Sequence, residues 1–137
     1  MLYGYFGKDV NITNGTYTYC CQPKEGSTVH LHTGTLGDLF PSPLSPEIIA
    51  KLEVGDYIPH SEGLPVYRLP RESRHHHSHP DHNRLYHYAV DPEQTTSLHG
   101  TELERTWATH LKEKLRYHEA PPCQFQRLNL PRTQGKV

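Results

Sequence analysis

Residues 10–33, VNITNGTYTYCCQPKEGSTVHLHT, are the stretch from which the fold is read. Asn14-Gly15 is a strong two-residue hairpin signal, because a tight turn that matches strand twist needs positive φ at both central positions. It pairs Val10–Thr13 with Thr16–Tyr19, placing Ile12 opposite Tyr17 and Val10 opposite Tyr19. Residues 23–27, Pro-Lys-Glu-Gly-Ser, supply the loop of a second hairpin. With Gln22 opposite Thr28, Cys21 faces Val29 and Tyr19 faces Leu31. Side chains alternate along a strand. Both registers therefore gather one apolar face from Val10, Ile12, Tyr17, Tyr19, Cys21, Val29 and Leu31, which predicts an antiparallel β-meander.

The opposite face of that meander carries chemistry. In the same register Cys20 lies opposite His30, and Thr18 opposite His32. One thiolate and two imidazoles on neighbouring strands, with a fourth ligand from elsewhere, suit zinc or another divalent transition metal. Cys20, His30 and His32 are thus one expected ligand set; the plainer alternative is a polar outer face.

Outward from the meander, the chain becomes irregular. Residues 34–46 are a Gly/Pro-rich connector. Ser45-Pro46-Glu47 gives an N-cap, a proline at the first helical position and an acid in the first turn. The helix it starts, residues 46–52, is expected to bury Ile48, Ile49 and Leu52. Residues 56–58 and 66–69 are short apolar runs bounded by prolines, suited to edge strands. Residues 85–90 alternate as a strand and stop at Asp91-Pro92. A helix follows over residues 102–118, opened by a Thr101/Glu104 capping box. Its stripe is Leu103, Trp107, Leu111 and Leu115, with Glu104, Arg105, Lys112, Glu113 and Arg116 towards water. Pro121-Pro122 ends it, leaving a tail in which Phe125, Leu128 and Leu130 are too sparse to fold alone.

The fold class expected is therefore α+β: a small antiparallel sheet with one main C-terminal amphipathic helix packed on it and long irregular loops. Residues 1–120 read as a single domain and residues 121–137 as an extended C-terminal arm. A chain of 137 residues supports one core. Twelve prolines and ten glycines predict short elements, while nine tyrosines supply half-buried surface. Net charge is −1, so a general attraction to nucleic acid is not favoured. The seven Lys and Arg of residues 101–137 keep such binding as an alternative, recognisable by steep weakening in salt. Three cysteines, two of them adjacent, form no disulfide framework and suggest an intracellular, reducing compartment. No signal peptide is read at the start, and no stretch has the length and apolarity of a membrane span.

The most unusual composition lies in residues 71–90, RESRHHHSHPDHNRLYHYAV, which hold six of the twelve histidines. Imidazole ligates zinc, nickel and copper, and titrates near neutral pH. His77-Ser-His79-Pro-Asp81-His82 resembles the H-x-H-x-D-H ligand loop of the metallo-β-lactamase superfamily. Such a resemblance implies a metal held by His77 and His79 with His82 or Asp91 completing the set, a metal-bound water as nucleophile and a carboxylate as base. The flanks differ: Arg71-Glu-Ser-Arg74 stands where that family has a buried strand, and Asn83-Arg84 where it has glycines. His77-Ser78-His79-Pro80 also resembles the ligand pair of JAMM-type zinc isopeptidases. There the family's serine and aspartate positions are occupied by His87 and Val90, with Asp91 one place late.

No Ser-elbow, phosphate-cradling glycine loop or dinucleotide fingerprint is present. The function expected is non-enzymatic: a small interaction or assembly protein that docks on a larger protein, as inhibitor, accessory or structural subunit. Arg71, Arg74, His75, His76 and Arg84 of the His/Arg segment, with Phe125, Arg127, Leu128 and Leu130 of the arm, are the expected contacts. The competing expectation is a small zinc-dependent hydrolase using His77, His79 and His82.

Overall fold

The computed structural model describes residues 1–4, 7–36, 45–59, 61–72 and 82–130. It has an α+β fold with two small antiparallel sheets and one main C-terminal helix. In chain order the elements are β1 (Leu2–Gly4), β2 (Val10–Thr13), β3 (Thr18–Cys21), β4 (Thr28–Thr33), α1 (Pro46–Ile49), β5 (Glu53–Gly55), β6 (Val66–Glu72), β7 (Arg84–Tyr86), α2 (Glu102–Tyr117) and α3 (Pro122–Arg127). The chain divides into two compact units, Met1–Ser27 with Ser73–Val137, and Thr28–Glu72. Among the described residues no helix is long and apolar enough to cross a membrane.

The first unit holds a sheet of order β1-β2-β3-β7. Its central register is two residues away from the expected one: Val10 pairs with Cys21, Ile12 with Tyr19 and Thr13 with Thr18. Residues 14–17 form the loop, and of the Asn-Gly pair only Gly15 has positive φ, at 88°. Side chains build this loop. Asn14 Oδ1 accepts from the Thr16 and Tyr17 amides, both at 2.9 Å. Thr13 Oγ1 accepts from the Gly15 amide at 3.0 Å and donates to the Tyr17 carbonyl at 2.7 Å. Such local bonds stabilise a wider turn than the two-residue one. Because side chains alternate with period two, a slip of two preserves the faces. Ile12, Tyr19 and Cys21 still point together into the core.

The second expected hairpin does not form. β3 takes β7 as its other neighbour, Tyr19 opposite Leu85 and Cys20 opposite Arg84. β4 pairs instead with β6, Val29 opposite Arg71 and Leu31 opposite Leu69. The backbone after Cys21 is already engaged. The Gln22 amide donates to Asn83 Oδ1 at 2.9 Å, the Gln22 carbonyl accepts from the Asn129 amide at 2.8 Å, and the Lys24 amide donates to the Arg127 carbonyl at 2.7 Å. Pro23 has no N–H to offer a ladder.

α2 covers the sheet of this unit. Trp107, Leu111 and Leu115 are buried as expected, with Ala108, against Ile12, Tyr19, Cys21 and Leu85. Thr101 caps the helix by accepting from the Glu104 amide at 3.2 Å. Two positions of the stripe are corrected. Leu103 is exposed, whereas Glu104, expected in water, is buried. The cause is capping: Glu104 Oε2 accepts from the Gly100 amide at 2.6 Å, which turns its side chain back over the helix start. At the other end, the Glu119 and Ala120 amides donate to the Arg116 and Leu115 carbonyls, with Glu119 at φ 52°. This is a Schellman closure carried by a non-glycine residue.

The segment from residue 121, expected as an extended arm, begins as α3 and docks on its own unit. Leu128 is fully buried and bridges to Pro23. Phe125 and Leu130 pack against the same core. Residues 131–137 of the expected arm lie outside the described residues.

The second unit is a sheet of order β4-β6-β5. Its apolar face is thin: Val29 and Leu69 are the buried apolar residues among those described. Ser45 caps α1 as expected, accepting from the Ile48 amide at 3.4 Å. Yet α1 buries no residue, and Ile49 is 54% exposed. With a single turn, α1 has too little length to present a continuous face.

Candidate functional site

A recess of about 250 Å³ opens at the start of α2, lined by His82, Asn83, His99, Glu104, Arg105 and Asn129 among others. The loop before α2 positions His99, and the cap geometry positions Glu104. The rings of His82 and His99 lie with centroids 4.1 Å apart, tilted by 37°. His99 Nδ1 is 3.3 Å from Glu104 Oε2. A carboxylate bound at Nδ1 leaves Nε2 as the nitrogen available for a proton or a ligand. Arg105 pairs with Glu102.

Asn83 anchors the floor of the recess. Its amide donates to Tyr19 Oη at 3.0 Å and to the Asn129 carbonyl at 2.7 Å, while its Oδ1 holds the Gln22 amide. One buried side chain thus ties β3, the approach to β7 and the C-terminal segment together. Burial raises the Tyr19 phenol above its ordinary range, and the neighbouring Cys21 and Glu104 add to the rise.

Among the described histidines of the histidine-rich segment, His82 lines this recess. Arg74, His75, His76, His77 and His79 lie outside the described residues, and so does most of the H-x-H-x-D-H motif. Arg71 stands opposite Val29 on β6 with an exposed side chain. The other expected contacts turn inward. Arg84 is buried and its Nη2 donates to Asp9 Oδ2 at 2.7 Å. Arg127 is buried as well, donating to the Lys8 carbonyl at 2.9 Å and to Gln124 Oε1 at 3.1 Å. Burial lowers its guanidinium pKa. Leu128 is core.

The expected set of Cys20, His30 and His32 does not arise through the pairing that was to create it. Cys20 is on β3 opposite Asn11 and Arg84, whereas His30 and His32 are on β4 opposite Pro70 and Arg68. Burial also pushes the Cys20 thiol up to about 11 and the Cys21 thiol up to about 12. Both thiols are protonated at neutral pH, the form least suited to nucleophilic attack or metal ligation. Burial lowers the pKa of His30, with Arg68 adding to the effect, and that of His32, with His30 and Arg68 adding. Among the described residues no three His, Cys, Asp or Glu side chains are grouped as a metal site requires.

His99, Glu104 and Asn83 were not singled out as site residues from sequence. Glu104 was visible as the partner in a capping box, and its position beside His99-Gly100 was the available signal. Asn83 had none. Compared with models of protein families, with curated proteins and with solved structures, the chain has no significant match.

Proposed function

We propose that this chain is a non-enzymatic interaction protein that docks on a larger protein or assembly, as an inhibitor, accessory or structural subunit. The observation that carries this reading is the exposure of apolar side chains among the described residues of Thr28–Glu72. Ile49, Val54 and Leu64 are 54%, 60% and 68% exposed, while Val29 and Leu69 are buried. Exposed aliphatic side chains outnumber buried ones among the described residues of this unit, which favours contact with another surface. Arg71 adds a cation to the same unit, and the His/Arg residues that follow it supply charge that rises below about pH 6.5. The near-neutral net charge supports a protein partner over nucleic acid.

The test compares tagged wild-type chain with a Val54→Asp/Leu64→Asp variant, each captured from extracts of the source cells. Equal thermal melting with at least about tenfold less of one co-purifying protein, a loss on the scale of a single interface hot spot, supports docking here. Equal capture by both chains overturns it.

One observation favours a second reading, a small metal-dependent hydrolase: His82 shares its recess with His99 and a carboxylate. In that case purified protein carries stoichiometric zinc that His77→Ala/His79→Ala removes together with a hydrolytic activity.

A further inference from the structure

The polar face of the second unit carries two histidines in an arrangement that the docking reading does not use. Along β4, Thr28, His30 and His32 point to one side and Val29, Leu31 and Thr33 to the other. The His30 and His32 rings are adjacent, centroids 6.3 Å apart and tilted by 42°. Both side chains are half-buried, so part of each ring meets solvent. Two imidazoles sharing one ion at ordinary metal–nitrogen distances have centroids roughly 4.5–5 Å apart. Reaching that separation requires side-chain rotation from the observed positions, with the Tyr57 ring centroid 6.1 Å from that of His32.

The surroundings carry charge of both signs. His30 faces Pro70 across the ladder, a neutral neighbour. His32 faces Arg68, but that guanidinium is drawn towards β5. Its Nε donates to Glu53 Oε2 at 2.7 Å, and its central carbon sits 3.9 Å over the Tyr57 ring. Glu53 compensates part of that charge at His30, while Arg68 still disfavours positive charge on both rings.

We propose that His30 and His32 form a two-imidazole chelate on β4 that binds a divalent transition metal of the copper, nickel or zinc kind, separately from the histidine-rich segment. The chain supplies two ligands, and solvent completes the coordination shell. Copper binds most tightly of the three, since affinity for nitrogen ligands peaks at Cu²⁺ in this series. The inference does not rest on the docking reading.

Copper titration of the full-length chain tests it, by calorimetry and by electron paramagnetic resonance. The starting variant replaces His75, His76, His77, His79 and His82 with Ala to remove the competing tract. One remaining copper site with two nitrogen couplings is expected. His30→Ala or His32→Ala should each weaken it by about a hundredfold, the scale on which a second, tethered ligand adds to the first. Adding Thr28→His to His32→Gln moves the pair two residues along the same face and should restore binding. Should the starting variant melt early, the same titration on the wild-type chain should show one fewer bound copper after either single change. Unchanged affinity or stoichiometry in the single variants overturns the chelate, as does absence of a site in a folded starting variant or failure of the relocated pair to rescue.

Discussion

The two units use the same strand grammar with different outcomes. Each has an antiparallel sheet whose strands alternate polar and apolar residues. In the first, the sixteen-residue α2 lies over the apolar face, and Ile12, Tyr19, Cys21 and Leu85 are dry beneath Trp107, Ala108, Leu111 and Leu115. In Thr28–Glu72 the described helix is four residues long and buries nothing, and two apolar side chains among the described residues are buried. Alternation creates a face; a second layer turns it into a core. Fully burying a Leu-sized side chain contributes about 1.5–3 kcal/mol, so among the described residues the unit with the helix gains more from burial.

Truncating one leucine in each unit puts that contrast under the greatest strain. Leu111 has no exposed surface and sits between helix and sheet, so Leu111→Ala should cost about 4 kcal/mol by denaturant unfolding. Leu69 is buried on β6 outside the cluster beneath α2, and Leu69→Ala should cost about 2 kcal/mol. Native-state hydrogen exchange should show β4 and β6 amides opening at lower free energy than those of β2 and β3. Equal costs, or equal protection, would mean that the sheet of Thr28–Glu72 is as well supported as the one beneath α2.

The ion pairs repeat the contrast in polar form. Arg84 and Asp9 in the first unit meet at 2.7 Å with side chains 5% and 12% exposed, whereas Arg68 and Glu53 in the second are 29% and 53% exposed. Asp9→Ala should cost about 3 kcal/mol, because it strands a buried guanidinium. Arg84 Nε and Asp9 Oδ1 already have no partner among the described residues. A joint Asp9→Leu/Arg84→Met replacement should therefore recover most of the loss. Glu53→Gln should cost less than about 1 kcal/mol, as expected of a solvated pair. A double-mutant cycle on each pair measures the difference directly.

What could be read from sequence follows the range of the interactions. The Thr101 cap, the Trp107–Leu115 stripe and the Ser45-Pro46 helix start are local, and each lies where the residues indicated. The faces of β2 and β3 survived a wrong register because the error was even. Partner choice was not legible. β3 prefers Leu85, some sixty-six residues away, over the next strand in the chain, and that preference depends on what Asn83 and Asn129 do to the Gln22 backbone. Leu128 looked like part of a sparse tail because its burial comes from long-range docking into the core beside its bridge to Pro23, which leaves no periodic trace. For the recess, His82 was visible as a histidine. Its companions His99 and Glu104 come from a helix start that sequence alone assigned to solvent.

Acid sharpens the comparison least in energy and most in location. His30 and His32 have folded-state pKa values below the ordinary 6.5, first because burial disfavours the charged ring and then because Arg68, and for His32 also His30, repel a second positive charge. In the unfolded chain both return to about 6.5. Between the folded values and 6.5 the unfolded chain binds more protons, so stability rises with pH through that window and falls as pH drops from 6.5. The loss belongs to Thr28–Glu72, because both rings are on β4. Amide protection of β4 and β6, corrected for intrinsic exchange, should decline between pH 7 and pH 5 while that of β2 and β3 stays level. His30→Gln/His32→Gln should flatten the decline, since no depressed imidazole then remains on that face. A decline that persists in the double variant would place the acid sensitivity on other groups.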